Sequence, residues 1–244
     1  MRVPRFYTRQ PLHKGTEITL EDEPSHHLRQ VLRLRAGGEI NLFNDNGDEY
    51  TATLTLVSKL HVSATVGTQL RHEPESKLTI HLLIGISRGE RMDFALQKAT
   101  ELGVCRITPV LTKRCVVKLN EKKSASRVAH WNRLVINACE QSGRCRIPTI
   151  DHPLELKEAI ARQDSNLALL LDHRSHERLN QIDNPDSSVS ILIGPEGGLS
   201  TDERDLADLH GFIAIRLGPR IMRTETAPLA TISAIQTLWG DFCD

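Results

Sequence analysis

Two short stretches set glycines beside charged side chains in a way that could build a ligand site. The first, Gly194-Pro-Glu-Gly-Gly-Leu-Ser200, is a glycine-rich turn running into a capped helix, so a ligand can approach its backbone closely. It lacks the lysine of a phosphate loop and the spacing of a G-x-G-x-x-G fingerprint, and it puts Glu196 where an anion would sit. A carboxylate in such a turn suits a ligand of cationic character, such as the sulfonium and amino group of S-adenosylmethionine. The simpler account is a carboxylate that offsets a helix macrodipole. The second stretch, Leu217-Gly-Pro-Arg-Ile-Met-Arg-Thr-Glu-Thr-Ala227, couples a glycine-proline turn to two arginines, a glutamate and two threonines. Loops this polar are usually explained by solvation, but this one follows an apolar strand and opens the last helix, the position of a site.

Other reactive residue types do not form comparable sets. Cys139-Glu-Gln-Ser-Gly-Arg-Cys145 invites a nucleophile or metal reading, yet Cys139 falls on the apolar side of its helix and no histidine is spaced to assist. It reads as a core thiol. His26 and His27 are adjacent, which sends them to different helix faces and spoils a metal pair. The five cysteines contain no C-x-x-C pair and are odd in number, so they read as reduced thiols, and no metal is expected.

The elements that must position these loops follow from periodicity. Residues 1–72 read as a small β-barrel: Tyr50, Ala52, Leu54 and Leu56 alternate with polar neighbours, as do Val62, Ala64 and Val66, and Asn44-Asp-Asn-Gly-Asp48 is a turn. One helix begins near Pro24 and carries His27, Leu28, Val31 and Leu32. The pattern stops in the polar stretch Arg71-His-Glu-Pro-Glu-Ser76, which marks a boundary between domains 1–72 and 73–244. Beyond it strand and helix alternate. Leu78–Ile84, Ile107–Leu111, Ala168–Leu171, Val189–Ile193 and Phe212–Leu217 are strands. Helices are expected over Glu90–Leu102, from Ser124 to Gly143, from Pro153, from the capping box Ser200-Thr-Asp-Glu203, and over Thr226–Trp239. This alternation means an α/β fold with a parallel sheet covered on both faces, whose ligand loops follow Leu171, Ile193 and Leu217.

Composition bounds the partners. The 244 residues are 39% hydrophobic and 25% charged with a mean hydropathy of −0.31, an ordinary globular profile. The longest apolar stretch, Leu78–Ile86, is well short of the ~18 residues a spanning helix needs, so no membrane partner is expected. The first ten residues lack the apolar core of a secretory signal, which points to the cytoplasm. Net charge is zero, but residues 85–148 hold 13 Lys and Arg against 5 Asp and Glu, and residues 149–213 hold 5 against 13. The basic block could meet a phosphate backbone, or the two blocks could pair copies of the chain. Ala230, Ile232, Ile235 and Leu238 leave the last helix apolar on more than one side, which favours a homodimer.

Five strings, in order, carry a specific resemblance: Ser87-Arg-Gly-Glu-Arg-Met92, Gln97-Lys-Ala-Thr-Glu-Leu-Gly103, Ala138-Cys-Glu-Gln-Ser-Gly-Arg144, Leu192-Ile-Gly-Pro-Glu-Gly-Gly-Leu-Ser200 and Leu217-Gly-Pro-Arg-Ile-Met-Arg-Thr-Glu-Thr-Ala227. With Arg2-Val-Pro-Arg-Phe-Tyr7 at the start, they make the chain resemble the RsmE family, bacterial ribosomal RNA uridine-N3 methyltransferases of the SPOUT class. The resemblance implies a PUA-like N-terminal barrel that binds RNA and a SPOUT-type domain whose last strands and helix form a trefoil knot, a topology periodicity does not reveal. It also implies a homodimer, S-adenosylmethionine as methyl donor, and 16S ribosomal RNA, naked or in the assembled small subunit, as substrate. The cofactor cradle it implies is Leu171 with the loop after it, then Gly194, Pro195, Glu196 and Gly197, then Leu217, Gly218, Ile221, Arg223 and Thr226. The loop Leu171-Asp-His-Arg-Ser-His176 departs most from the family pattern.

Methylation at uridine N3 requires an unpaired base, loss of the N3 proton and in-line approach to the methyl. Charge then develops on O2 and O4. Arg223 is the first candidate to meet it, ahead of Arg220, Arg88 and Arg91, and Glu225 or Glu196, or solvent, could take the proton. Arg88, Arg91, Arg133 and Arg144 are the candidate RNA contacts, with Glu140 and Gln141 beside Arg144. Two further readings are a knotted methyltransferase acting on transfer RNA and a non-enzymatic RNA-binding protein. The second of these would not need the glycine-rich loop.

Overall fold

The structure, a computed structural model, describes residues 3–72, 76–117 and 121–243, the side chain of Glu121 excepted. Arg2 of the first motif and Glu73-Pro-Glu75 of the expected boundary lie outside the described residues. The chain forms two compact units, Met1–Glu75 with Ile136–Ile147, and Ser76–Val135 with Pro148–Asp244. The short return of the chain to the first unit has no counterpart in the periodicity.

In the first unit the strands are β1 (Arg5–Tyr7), β2 (Glu17–Thr19), β3 (Glu39–Phe43), β4 (Asp48–Val57) and β5 (Val62–His72), in the order β1-β3-β4-β5-β2. β1 runs parallel to β3 and the other pairs are antiparallel. Most of the alternating residues point inward: Ala52, Leu54, Val62, Ala64 and Val66 share one core with Phe6 of β1 and Ile18 of β2, and Tyr50 packs against it. Leu56 does not, because a register shift between Leu54 and Leu56 breaks the alternation and leaves it 48% exposed. The sheet thus wraps one core, although among the described residues its two edges do not hydrogen-bond to each other. At the β3–β4 turn Asp45 and Gly47 both take positive φ, 71° and 92°, which suits the Asn-Asp-Asn-Gly composition.

The expected helix near Pro24 is shorter than its pattern. α1 (Asp22–His26) passes into a π-helical turn over His27–Val31, where the Leu32 N–H donates to His27 O five residues back. The wider winding turns Val31 and Leu32 off the face that Leu28 buries, so both remain exposed.

In the second unit the elements are β6 (Thr79–Gly85), α2 (Gly89–Glu101), β7 (Arg106–Leu111), α3 (Glu121–Ser142), β8 (Thr149–Ile150), β9 (Leu154–Glu155), α4 (Leu156–Ala161), β10 (Leu167–Leu171), β11 (Ser188–Ile193), α5 (Thr201–Leu209), β12 (Ile213–Ile215) and α6 (Thr226–Leu238). The last turns of α3 belong to the first unit. The strands form a parallel sheet in the order β12-β10-β11-β6-β7-β8, with β9 also on β7. Both faces are buried, as expected of a parallel sheet. Leu83, Ala168, Leu170 and Leu192 share a core with Leu156, Ala159 and Ile160 of α4 and Ala207 of α5. Their strand neighbours Leu82, Leu169 and Ile191, which point to the opposite face, are fully buried as well.

Pro109 sits inside β7 without weakening the ladder. β8 pairs with β7 at Arg106 and Ile107, β9 at Val110 and Leu111, and the gap between them falls at Thr108 and Pro109. A residue with no N–H is tolerated where one neighbour hands over to the next.

Candidate functional site

Because β10, β11 and β12 are parallel neighbours, their carboxyl ends bring three loops to one edge of the sheet. These loops enclose a cleft of about 480 Å³. Its walls come from Leu170–Arg174 after β10, Ile193–Leu199 after β11, and Arg216–Gly218 with Arg220–Glu225 after β12; Arg91, Arg204 and Ala227 complete it. The capping box reads as expected: Ser200 Oγ accepts the Glu203 N–H and Glu203 Oε2 accepts the Ser200 N–H, which fixes where α5 starts and the glycine turn ends.

Of the cradle expected from the sequence, Leu171, Gly194, Pro195, Glu196, Gly197, Leu217, Gly218, Ile221 and Arg223 all line this cleft, and so does Glu225. Thr226 opens α6, its N–H donating to Arg223 O at 2.9 Å, and stands just outside the lining. Arg91 lines the cleft, while Arg88 contributes a backbone N–H to it. Arg133 is an exposed residue of α3 away from the cleft walls, and Arg144 lies in the first unit, where its carbonyl accepts from Arg5. Glu140 is likewise held in the first unit, accepting the Tyr7 N–H, and Cys139 is fully buried.

Six arginines and three carboxylates line the cleft, and among the carboxylates Glu196 is the one with a shifted pKa. Burial pushes its pKa up, but the Arg88 N–H at 3.1 Å, its own N–H, the Arg91 guanidinium and the Ser87 hydroxyl together hold it below the usual carboxylate range. These contacts favour its ionised form, so it brings a negative charge to the cleft. Glu196 Oε2 and Glu225 Oε2 are both buried with no hydrogen-bond partner among the described residues. Two such oxygens in one cleft are unsatisfied until a donor or cation arrives. The Arg223 guanidinium is exposed and makes no hydrogen bond among the described residues, so it is free to meet a ligand.

Several contributors escape sequence reasoning. Arg114 Nη1 donates to Gly197 O at 3.1 Å, and Lys113 N donates to Glu203 Oε1 at 2.7 Å, so the segment after β7 grips the glycine turn. Arg204 pairs with Asp172 at 3.4 Å and donates to Leu199 O, joining two of the loops. Gly85 ends β6 directly under Pro195. Arg204 lies one turn into a capped helix and Asp172 at a strand end, which are weak hints; Arg114 and Gly85 give none, since only folding brings them to the turn. The nearby Cys115 thiol is pushed up in pKa by burial and donates to Ile86 O, so it is not an activated nucleophile. Among the described residues no three His, Cys, Asp or Glu side chains cluster as a metal site, and no helix is long and apolar enough to cross a membrane.

A parallel α/β unit with a glycine-walled cleft at the strand ends, where arginines outnumber carboxylates and two carboxylate oxygens are left unsatisfied, is joined in one chain to a small mixed sheet, the arrangement of a two-domain RNA methyltransferase. The family model for the RNA methyltransferase domain matches residues 74–236, and that for the RNA methyltransferase PUA domain matches residues 20–67. More narrowly, the chain belongs to the ribosomal RNA small subunit methyltransferase E family. It is 33% identical over 242 residues to the Buchnera aphidicola member, covering 99% of this chain and 96% of that one. The Neisseria gonorrhoeae member, crystallised with S-adenosyl methionine, superposes with a TM-score of 0.92 at 42% identity over 99% of this chain and 100% of that chain. A Legionella pneumophila methyltransferase in complex with the same cofactor gives 0.96 at 37% identity, with 99% and 100% covered.

Proposed function

We propose that the chain methylates N3 of one uridine in 16S ribosomal RNA of the small subunit, with S-adenosylmethionine as donor. The observation that carries this reading is the pair of unsatisfied buried carboxylate oxygens in the cleft, Glu196 Oε2 and Glu225 Oε2. They fit the cofactor's cationic groups and the proton that must leave the base. Glu196 would face the cofactor's positive charge, the Gly194–Gly197 backbone would lie along it, and Leu170, Leu171, Ile193 and Leu217 offer apolar wall for an adenine ring. Bound there, S-adenosylmethionine supplies an electrophilic methyl group on a sulfonium. Transfer would break the sulfonium C–S bond and leave a neutral thioether; Glu225 would take the N3 proton, and Arg223 would meet the charge spreading onto O2 and O4.

The rest of the reading concerns partners. Arg88, Arg91, Arg133 and Arg144 are the proposed RNA contacts, the N-terminal domain (residues 1–72) adds RNA-binding surface to the methyltransferase domain (73–244), and the enzyme works in the cytoplasm as a homodimer. Of the α6 residues expected to form the dimer face, Ile232 and Ile235 are buried within the chain itself, so support for the dimer comes from Leu238 at the end of α6 and Phe242 beyond it, 48% and 49% exposed. The strand order β12-β10-β11, which makes the last crossovers return past β10, supports a knotted C-terminus. Calorimetric titration with S-adenosylmethionine, followed by mass mapping of ribosomal RNA from a deletion strain, tests the function. A missing N3-methyluridine in 16S RNA is expected. A change confined to transfer RNA, or no cofactor binding, would refute it.

A further inference from the structure

The first unit holds a cavity of about 320 Å³ that methyl transfer leaves unused. Its apolar wall is Phe6, Tyr7, Pro24, His27 and Ile136, and the Phe6 and His27 rings meet edge to face with centroids 5.5 Å apart. Its polar lining is mostly acidic: Glu21, Asp22, Glu23 and Glu140 against Arg9 and His27. Glu21 Oε1 accepts the Thr8 hydroxyl at 3.1 Å and the Arg9 N–H at 2.9 Å, but its Oε2 is buried with no partner among the described residues. Glu140, also in the lining, accepts the Tyr7 N–H at 3.0 Å. Burial pushes the Glu140 carboxyl up to about 7, and the Tyr7 N–H and Arg5 only partly offset that and the nearby Glu23. Glu21 Oε2 and the Glu140 carboxyl therefore line an aromatic-walled cavity in which, among the described residues, nothing satisfies Glu21 Oε2.

We propose that this cavity receives an arginine side chain presented by a basic protein segment. A guanidinium is planar and always charged, stacks on aromatic rings, and carries five donors, one of which can satisfy Glu21 Oε2 while the rest meet the other polar groups of the lining. A phosphate would be repelled by Glu21, Asp22 and Glu23, and a lysine ammonium has no plane to match the aromatic wall. Every residue involved belongs to the first unit, so the inference stands apart from the methyl-transfer reading. If the assembled subunit is the substrate, one of its proteins would supply the arginine.

The test is titration of the isotope-labelled full chain with N-acetyl-arginine amide, following the Tyr7 amide and Ile136 methyl resonances. Saturable shifts are expected. Glu21→Gln should weaken binding roughly tenfold or more, the loss usual when one member of a buried charge pair is removed, while S-adenosylmethionine affinity is unchanged. Asn137→Trp, at an exposed residue of the cavity lining, should block binding without touching a carboxylate. Absence of a saturable shift in the wild-type chain would overturn the proposal. So would equal binding of N-acetyl-lysine amide, which means unspecific cation attraction, or stronger binding of guanosine monophosphate, which assigns the cavity to RNA.

Discussion

Replacing Gly85 by alanine should damage the cofactor cleft from below, although Gly85 itself does not line it. A Cβ at Gly85 would lie 2.4 Å from Pro195 N, 2.5 Å from Pro195 Cδ and 2.9 Å from Gly194 C. These are backbone and ring atoms that cannot rotate away. Restoring ordinary contact at about 3.5 Å means moving the glycine turn by ~1 Å. The turn resists, because Gly198 N–H is bonded to Pro195 O and Glu196 to the Arg88 N–H. Overpacking of this kind costs about 1–3 kcal/mol, a fall of roughly 2–10 °C in the melting temperature of the second unit. A 1 Å misplacement in a site is worth on the order of 10²-fold, so S-adenosylmethionine affinity or the single-turnover rate should drop by one to two orders of magnitude. Calorimetry for the cofactor, with scanning calorimetry to show that the variant is folded, reads both. Gly197→Ala is the comparison: its Cβ would meet Arg114 Cβ at 3.0 Å and Arg114 O at 3.3 Å, a conflict of a few tenths of an ångström. A folded Gly85→Ala chain with unchanged affinity and rate, or a Gly197→Ala chain hurt more than it, would refute the reasoning.

Other outcomes are expected. Arg223→Ala should lower the saturated methylation rate by about 10²–10³-fold with little change in either dissociation constant, since its guanidinium would act only on charge that develops in the transition state; a near-normal saturated rate would remove it from catalysis. RNA affinity should fall steeply with salt, and Arg133→Glu should flatten that slope by about one unit while sparing cofactor binding; an unchanged slope assigns Arg133 elsewhere. His81 is pulled down to about 4, chiefly by burial, so between pH 6.5 and 4 the unfolded chain holds a proton the native state lacks, and the second unit should lose on the order of 2–3 kcal/mol across that window. Glu140, raised to about 7, has the opposite sign: the native state holds the extra proton, and the first unit should gain stability as pH falls from 7 toward 4.5. Scanning calorimetry at pH 7.5 and pH 5 should show the two transitions moving in opposite directions; a parallel fall would contradict the Glu140 assignment and a parallel rise the His81 assignment.

What could be read in the letters was whatever local chemistry decides. The capping box at Ser200 names its own partners, the apolar runs of β6, β10 and β11 are long enough to declare buried strands, and Gly103, at φ 94°, ends α2 where a left-handed residue is needed. The glycine turn and the arginine loop were visible because no simpler structure needs that mixture of residues. Strands of two or three residues, such as β1, β2, β8 and β9, are too short to show a period. The π-helical turn after α1 depends on one hydrogen bond that shifts by a residue. Arg114, Arg204 and Gly85 act across separations that only the assembled sheet closes, and nothing between Val135 and Ile136 signals that one helix serves two cores.

That last division limits how the molecule can be cut and made. Arg5 is buried in the first unit, paired with Glu49 at 2.9 Å, and donates to the carbonyls of Cys139, Glu140 and Arg144 at the end of α3. A fragment stopping at the end of β5 would bare this guanidinium and the Phe43 face that Cys139 and Cys145 cover. The N-terminal sheet is therefore not a detachable module, even though its strands are contiguous in the chain. During synthesis it must wait, incomplete, while the intervening sixty residues are made (76–135). Any transplant of this RNA-methyltransferase appendage to another protein must carry a second, distant peptide with it.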